Sequence, residues 1–365
     1  MYRRGLYKRP DTLLLVITLL LSLIGLVMVF SSSAIMAGER FNNMYFFAVR
    51  QFMWMALGII ALVIGLYVDH RIWAKHSFFF IALTLFLLII IYIPWIGYSV
   101  GGAKRWIRLG GISFQPAEFA KIAVVIYLSS VLDRKYSKLN SFYRNILPPL
   151  LLIIGMTLLI YKQPDFGTSV IILLIVVSVL FVGGINLKHL LIGGVIILPI
   201  MIMGLLSKAY RIKRLLSFLN PFENIHDSGF QLVHSIVALG DGGIFGVGLG
   251  AGSQKLFFIP EVHTDFVFAI IGQELGFIGT ISILVLFMLL TWRGIRIGLR
   301  HKEYLGKIMA AGLTFLISIQ AMLNIGVVVG CLPTKGLALP FVGFGGSSLI
   351  FNMFAVGIIL NISRS

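Results

Sequence analysis

The sequence predicts an all-α, polytopic integral membrane protein with about ten transmembrane helices, and three observations carry that prediction. The 365 residues are 59% hydrophobic and 12% charged, whereas soluble domains carry about 25% charged residues. The mean hydropathy is +1.00. The apolar residues fall in runs approaching or exceeding the roughly 20 helical residues needed to cross a hydrocarbon core about 30 Å thick. Backbone groups in lipid must satisfy one another, so the runs are read as helices rather than open strands. Residues 1–365 form a single transmembrane domain on this reading.

The spans are placed at 12–35, 45–67, 73–95, 116–132, 146–161, 167–185, 188–206, 265–292, 308–331 and 339–361. The first follows a basic head, and its apolar run from Leu13 to Phe30 exceeds the about 7–15 residues of a signal-peptide core. It is therefore read as an uncleaved span. The fourth and fifth are short for a crossing. The eighth opens on Asp265 and carries Glu274, which at helical rise would lie about 14 Å deeper, near mid-membrane. Between the seventh and eighth runs one long segment, 207–264, whose glycine, aromatic and apolar content suits a partly ordered loop against the membrane surface.

Lysine and arginine set the orientation. With the N-terminus inside, Arg71, Lys75, Arg134, Lys135, Arg144, Lys188, Arg293, Arg296, Arg300, Lys302, Lys307 and Arg364 all fall on the cytoplasmic side. Both termini are then cytoplasmic and 207–264 is extracytoplasmic. Net charge is +17, which in a soluble chain would point to nucleic acid. Here the basic residues sit beside membrane spans, and no nucleic-acid partner is expected. The single cysteine, Cys331, excludes an internal disulfide framework and reads as a buried spectator thiol.

Two basic clusters run against the orientation rule. "GGAKRWIRLGG" places Lys104, Arg105 and Arg108 outside, and "SKAYRIKRLL" adds Lys208, Arg211, Lys213 and Arg214. Such residues either snorkel to lipid headgroups or bind an anionic, phosphate-bearing ligand. "GIFGVGLGAG" matches G-x-G-x-x-A spacing, yet no predicted strand precedes it and no βαβ unit surrounds it. Its glycines instead suit tight turns and close backbone approach.

Asp265 has two readings. It caps the eighth helix and meets the positive end of its dipole, or it acts as a general base at the membrane surface. Glu261 and His263 could join it on a divalent ion. Glu118 and Lys121 are three apart and can pair on one helix face. Asp165 lies in the Pro-Asp turn of "QPDFGT", and Lys335 lies between two prolines in "LPTKGLALP". A single pocket would account for all five polar segments.

Four segments in order resemble the SEDS family (shape, elongation, division and sporulation): "GAKRWIRLGGISFQPAEFAKIA", "QPDFGTSVII", "GFQLVHSIVALGDGGIFGVGLGAGSQKLFFIPEVHTDFVFAIIGQELGFIG" and "NIGVVVGCLPTKGLALPFVGFGGSS". "QKLFFIPEVHTDF" and "LPTKG" are similar to its division branch, FtsW; the elongation branch, RodA, usually differs at Thr334-Lys335. The resemblance implies a peptidoglycan glycosyltransferase that polymerises lipid II in the bacterial cytoplasmic membrane, at the division septum. It implies a class B penicillin-binding protein as transpeptidase partner, with other division membrane proteins and membrane lipids around it. Asp265 would be its catalytic acid. Lys104, Arg105, Trp106, Arg108, Glu118, Lys121, Asp165, Arg211, Arg214, His263, Thr264 and Lys335 would form the substrate-binding set. No cofactor is certain from the sequence; magnesium or manganese at Asp265 is the one weighed. Gly343 and Gln273 depart from the family pattern. A RodA-like elongation polymerase, a lipid II flippase, supported by the mid-membrane position of Glu274, and a non-catalytic scaffold are the competing readings.

Overall fold

The computed structural model describes residues 9–100, 102–109, 112–138, 141–224, 229–252 and 264–365. In chain order these form α1 (Thr12–Phe41), α2 (Phe46–Tyr67), α3 (His70–Lys75) and α4 (Ser77–Ile90). A three-stranded sheet follows: β1 (Gly97–Val100), β2 (Ala103–Leu109) and β3 (Ile112–Phe114). Then come α5 (Pro116–Arg134), α6 (Phe142–Asn145), α7 (Leu147–Lys162), α8 (Phe166–Val182), α9 (Leu187–Leu206), α10 (Ala209–Leu219) and α11 (Phe230–Asp241). The chain ends with α12 (Val267–Arg300), α13 (Tyr304–Val328) and α14 (Gly346–Arg364).

Helices stand at all ten predicted positions, as α1, α2, α3 with α4, α5, α7, α8, α9, α12, α13 and α14. Of the described helices, α1, α2, α9, α12, α13 and α14 are long and apolar enough to cross a membrane, while α4, α7 and α8 are apolar but shorter. The starts follow local chemistry. Asp11, Asp69, Asp165 and Asn186 each accept a backbone N–H at the first turn of α1, α3, α8 and α9, meeting donors that a helix leaves open. Pro116 opens α5, where a missing N–H costs nothing.

Close helix packing uses glycine. A β-carbon at Gly357 of α14 would lie 2.3 Å from the Leu62 carbonyl oxygen of α2, and one at Gly65 would lie 2.8 Å from the Phe354 carbonyl. Only small residues permit this approach between membrane helices. The two ends of the bundle differ in what they carry. At the cytoplasmic end Asp11 pairs with Arg293, Arg71 pairs with Glu303, and His70 Nδ1 lies 3.1 Å from Asn361 Oδ1. The sheet, α10, α11 and the connection 329–345 occupy the opposite end.

Four expectations change. The basic cluster of 103–109 is a strand, not a loop, at the centre of an antiparallel β1-β2-β3 meander. The extracytoplasmic segment 207–264 contains two helices, α10 and α11, among its described residues. Cys331 is exposed, because α13 ends at Val328 and the thiol lies in the turn after Gly330, whose φ is +77°.

The fourth correction concerns Glu274. α12 breaks at Gly276, whose φ of 68° and ψ of −164° are non-helical and open to glycine alone at little cost. Residues 243–248 dock into the break. Phe277 N–H donates to the Gly243 carbonyl (2.9 Å), Ile278 N–H to Ile244 (3.2 Å), Val247 N–H to Gln273 (3.0 Å) and Gly248 N–H to Glu274 (3.1 Å). A β-carbon at Gly246 would sit 2.2 Å from the Glu274 carbonyl oxygen, so the glycine-rich stretch does serve close backbone approach. Beyond the break, 277–300 alone extends about 36 Å at 1.5 Å per residue, enough to cross. Glu274 accepts from the Ser31 hydroxyl at 2.7 and 2.6 Å. The α1 segment from Asp11, at the cytoplasmic end, to Ser31 covers about 30 Å. Glu274 therefore lies at the outer edge of the membrane, not at its middle.

Candidate active site

The predicted site residues divide into a connected group and an outlying group. The connected group is built around the 329–345 connection between α13 and α14. Lys335 lies half-buried there, with its ammonium 5.5 Å from the centre of the Phe166 ring. Gly336 follows, and a β-carbon on it would lie 3.2 Å from Asp265 Oδ2. The Asp265 carboxylate thus rests against the backbone next to Lys335. Gly343 comes closer still to the backbone before α12, since a β-carbon there would approach the Thr264 carbonyl to 2.6 Å. The missing side chain of Gly343 lets the turn press against Thr264.

Asp265 is not the N-cap of α12. That position falls on Phe266, whose side chain makes no capping bond and whose ring has no acceptor for one. The carboxylate is half-buried at the outer end of the bundle.

The α7–α8 turn closes one side. Asp165 is 4% exposed; its Oδ1 accepts from Thr168 N–H (3.1 Å) and Oδ2 from Gln115 Nε2 (3.4 Å). Arg105 donates through Nε to the Gln163 carbonyl (3.2 Å) and through its second terminal nitrogen to the Pro164 carbonyl. Asp165 and Arg105 therefore shape the turn that presents Phe166. The guanidinium of Arg211 reaches the same ring, at 5.2 Å. It is buried and donates to the hydroxyls of Tyr210 (3.0 Å) and Tyr161 (2.9 Å) and to the Gly204 carbonyl (2.6 Å). Those bonds join α10 to the ends of α7 and α9.

Beneath the connection, Lys121 is 1% exposed. Its ammonium donates to both Glu118 oxygens (2.8 Å each) and to Gln320 Oε1 (2.6 Å). Gln320 Nε2 donates onward to the Ala338 carbonyl (3.1 Å). One helical turn later, Asn324 Nδ2 donates to the carbonyls of Asp265 (2.8 Å) and Leu337 (2.5 Å). Gln320, Asn324 and Phe166 were not singled out from the sequence. The two amides were detectable there, as polar residues four apart within an apolar run.

The outlying group sits on α10 and the sheet. Along β2, Ala103, Arg105 and Ile107 face inward, whereas Lys104 and Arg108 are exposed and Trp106 is half-buried. Arg108 lies over the Tyr98 ring at 5.4 Å. Arg214 is exposed on α10 and lies 5.9 Å from the Tyr210 ring. These four side chains border the outer surface. Glu261 and His263 fall outside the described residues. Among the described residues no group of three His, Cys, Asp or Glu side chains is placed to hold a metal ion.

Fold and site together define a multi-pass, all-α membrane protein with a polar site at its outer face. The family model described as "Cell cycle protein", which groups the FtsW, RodA and SpoVE proteins, matches residues 11–365, and the chain belongs to this family, the SEDS family. Stage V sporulation protein E of Bacillus subtilis is 44% identical over 355 residues, covering 97% of each chain. A protein of Geobacter sulfurreducens named "Probable peptidoglycan glycosyltransferase FtsW" is 41% identical over 356 residues, covering 98% of this chain and 95% of its own. Among solved structures, a chain described under "Structural coordination of polymerization and crosslinking by a peptidoglycan synthase complex" superposes with a TM-score of 0.79 at 26% identity, over 97% of this chain and 98% of its own. The crystal structure of the rod shape determining protein RodA of Thermus thermophilus shares the fold, with a TM-score of 0.71 at 24% identity over 97% of each chain.

The buried charge pair makes a direct prediction. Removing one partner of a buried pair costs about 3–5 kcal/mol because the other charge is stranded. Lys121→Met is expected to lower stability by about that amount, and Glu118→Gln combined with Lys121→Met to recover much of it. Thermal unfolding of the three variants in detergent checks this. A Lys121→Met protein as stable as the wild type contradicts the pairing.

Proposed function

We propose that this chain is a peptidoglycan glycosyltransferase that polymerises lipid II at the outer face of the bacterial cytoplasmic membrane. The observation that carries this reading is the half-buried Asp265 carboxylate against Lys335–Gly336, at the level where a membrane lipid presents its headgroup. The relatives named as peptidoglycan glycosyltransferases support it.

The chemistry is a single displacement. One lipid-linked sugar is the donor, and the 4-hydroxyl of another attacks its anomeric carbon. The new β-1,4 bond forms with inversion as the bond to pyrophosphate breaks. The hydroxyl must lose a proton and the leaving group gains negative charge, so the site needs a base and a cation. Asp265 is the base, and Lys335 faces the pyrophosphate. Lys104, Arg108 and Arg214 border the outer surface and meet the second lipid's phosphates or nearby headgroups. Arg105, Asp165, Arg211, Glu118 and Lys121 act through the segments they tie together. A magnesium or manganese ion held by one carboxylate and substrate phosphates would need only Asp265 from the described residues. It would supply further charge neutralisation, and the displacement described above does not depend on it.

The placement of Glu274 at the outer edge removes the mid-membrane carboxylate that favoured a flippase. Within the family, the "LPTKG" segment and the FtsW and sporulation relatives favour septal wall synthesis over elongation. A class B penicillin-binding protein is the proposed transpeptidase partner, alongside other division membrane proteins.

Three measurements follow. Asp265→Asn removes the base while keeping the side chain's shape, and is expected to lower glycan-strand formation from purified lipid II in detergent by about 10²–10⁴-fold without changing thermal unfolding. Near-wild-type synthesis would falsify the assignment. Burial lowers the pKa of Lys335 below that of an ordinary lysine, so its charge is lost at lower pH on the alkaline side. The expected kcat/KM therefore declines before ordinary lysines titrate, and Lys335→Arg, which stays charged, moves that decline to higher pH. An identical alkaline limb in the two proteins excludes Lys335 as its source. Finally, chelation by EDTA abolishes synthesis if the divalent ion is required, and added magnesium or manganese restores it; synthesis unaffected by EDTA removes the ion from the account.

A further inference from the structure

We infer that Asn324 is a positioning residue for this reaction: its side-chain amide sets the Asp265 segment against the Lys335 connection. This rests on the assignment of Asp265 as the base. Asn324 lies on α13, contacts neither reacting group, and is 2% exposed. Its single NH2 group serves two carbonyls from separate parts of the chain. One is Asp265 itself (2.8 Å), just before α12, and the other is Leu337 (2.5 Å), two residues after Lys335. Both donors of the amide are thereby used, and the two segments are held a fixed distance apart by one planar group.

Three further observations make this more than ordinary packing. Asn324 Oδ1 is buried without a hydrogen-bond partner. A buried acceptor left open costs stability, and turning the amide over would place it against two carbonyl oxygens instead. The orientation is therefore dictated by the two segments. Gln320, one turn earlier on the same face, repeats the arrangement by donating to the Ala338 carbonyl. Successive carbonyls, 337 and 338, are thus held by successive turns of α13, and Gln320 is itself fixed by Lys121. Lastly, the backbone so held is the one the Asp265 carboxylate rests on at Gly336. Losing the Asn324 bonds would free Asp265 and the Lys335 connection to separate.

The test compares purified wild type, Asp265→Asn, Asn324→Ala and Asn324→Asp for strand formation from lipid II, with thermal unfolding measured on each. A base displaced by about 1 Å can cost on the order of 100-fold in rate. Asn324→Ala is expected to lose about that factor in kcat, with KM for lipid II changed by less than about threefold, as for an interaction that matters in the transition state. Asn324→Asp is nearly the same size. Ionised, it offers only acceptors to the two carbonyls; protonated, it can donate to one. Its activity relative to wild type should therefore rise as pH is lowered, a signature that a purely structural role would not give.

If Asn324→Ala does not fold, the pH profile of Asn324→Asp decides alone. A folded Asn324→Ala with wild-type kcat, a defect confined to KM, or an Asn324→Asp profile parallel to wild type overturns the inference. Failure of both variants to fold also overturns it, because the amide would then serve the fold rather than the site. The Asp265→Asn arm keeps the two claims apart: if that variant polymerises normally, the assignment of the base fails whatever Asn324 does.

Discussion

The outer-face site depends on one buried ammonium group. Lys121 is almost wholly removed from water, and an unpaired charge in such a place is prohibitively expensive. Glu118, one turn earlier on the same helix, supplies the opposite charge, and Gln320 of α13 supplies a third contact. That third contact carries the consequence. Once Gln320 Oε1 is committed to Lys121, its NH2 group is directed to the Ala338 carbonyl. A charge that has to be satisfied inside the bundle thereby fixes the connection that presents Lys335.

The rest of the site is held largely through backbone atoms. Asn324, Gln320 and Arg105 all donate to carbonyl groups, and Gly336 and Gly343 let the neighbouring segments approach within van der Waals distance. Such a design ties the segments beside Asp265 and Lys335 together through their backbone atoms. The same economy recurs at Gly276, where a break in α12 receives residues 243–248 through paired backbone hydrogen bonds. This break separates a short outer helix, 267–275, from the crossing helix below it, and so brings both Asp265 and Glu274 to the membrane surface.

Hydropathy made the ten spans legible, because a lipid-facing helix must be apolar over its whole length. The spacing of Glu118 and Lys121 likewise disclosed their pairing, since three residues is a property of one helix face. One pocket for all five polar segments was the expectation; Asp265 lies against Gly336 and Lys335 lies near Phe166, whereas Lys104, Arg108 and Arg214 are exposed on the sheet and α10. The strand at 103–109 was hidden because its period-two pattern was overshadowed by its charge: Arg105 points inward and is satisfied by carbonyls, which composition cannot reveal. Glu274 was misplaced in depth for a related reason. Counting residues along a continuous apolar run assumes an unbroken helix, and one glycine with positive φ ended it.

A membrane fold, a buried polar chain and a half-buried carboxylate together make one outer-leaflet reaction site. The central claim is that the donor sugar reacts between Asp265, on the side of the attacking hydroxyl, and Lys335, on the side of the departing pyrophosphate. The most direct measurement is photo-cross-linking with lipid II that carries a photoactivatable group beside its pyrophosphate, followed by peptide mapping of the labelled protein. The account predicts label on the 332–345 connection and on the segment beginning at Thr264. Label confined to the cytoplasmic halves of α1, α12 and α13 would contradict it.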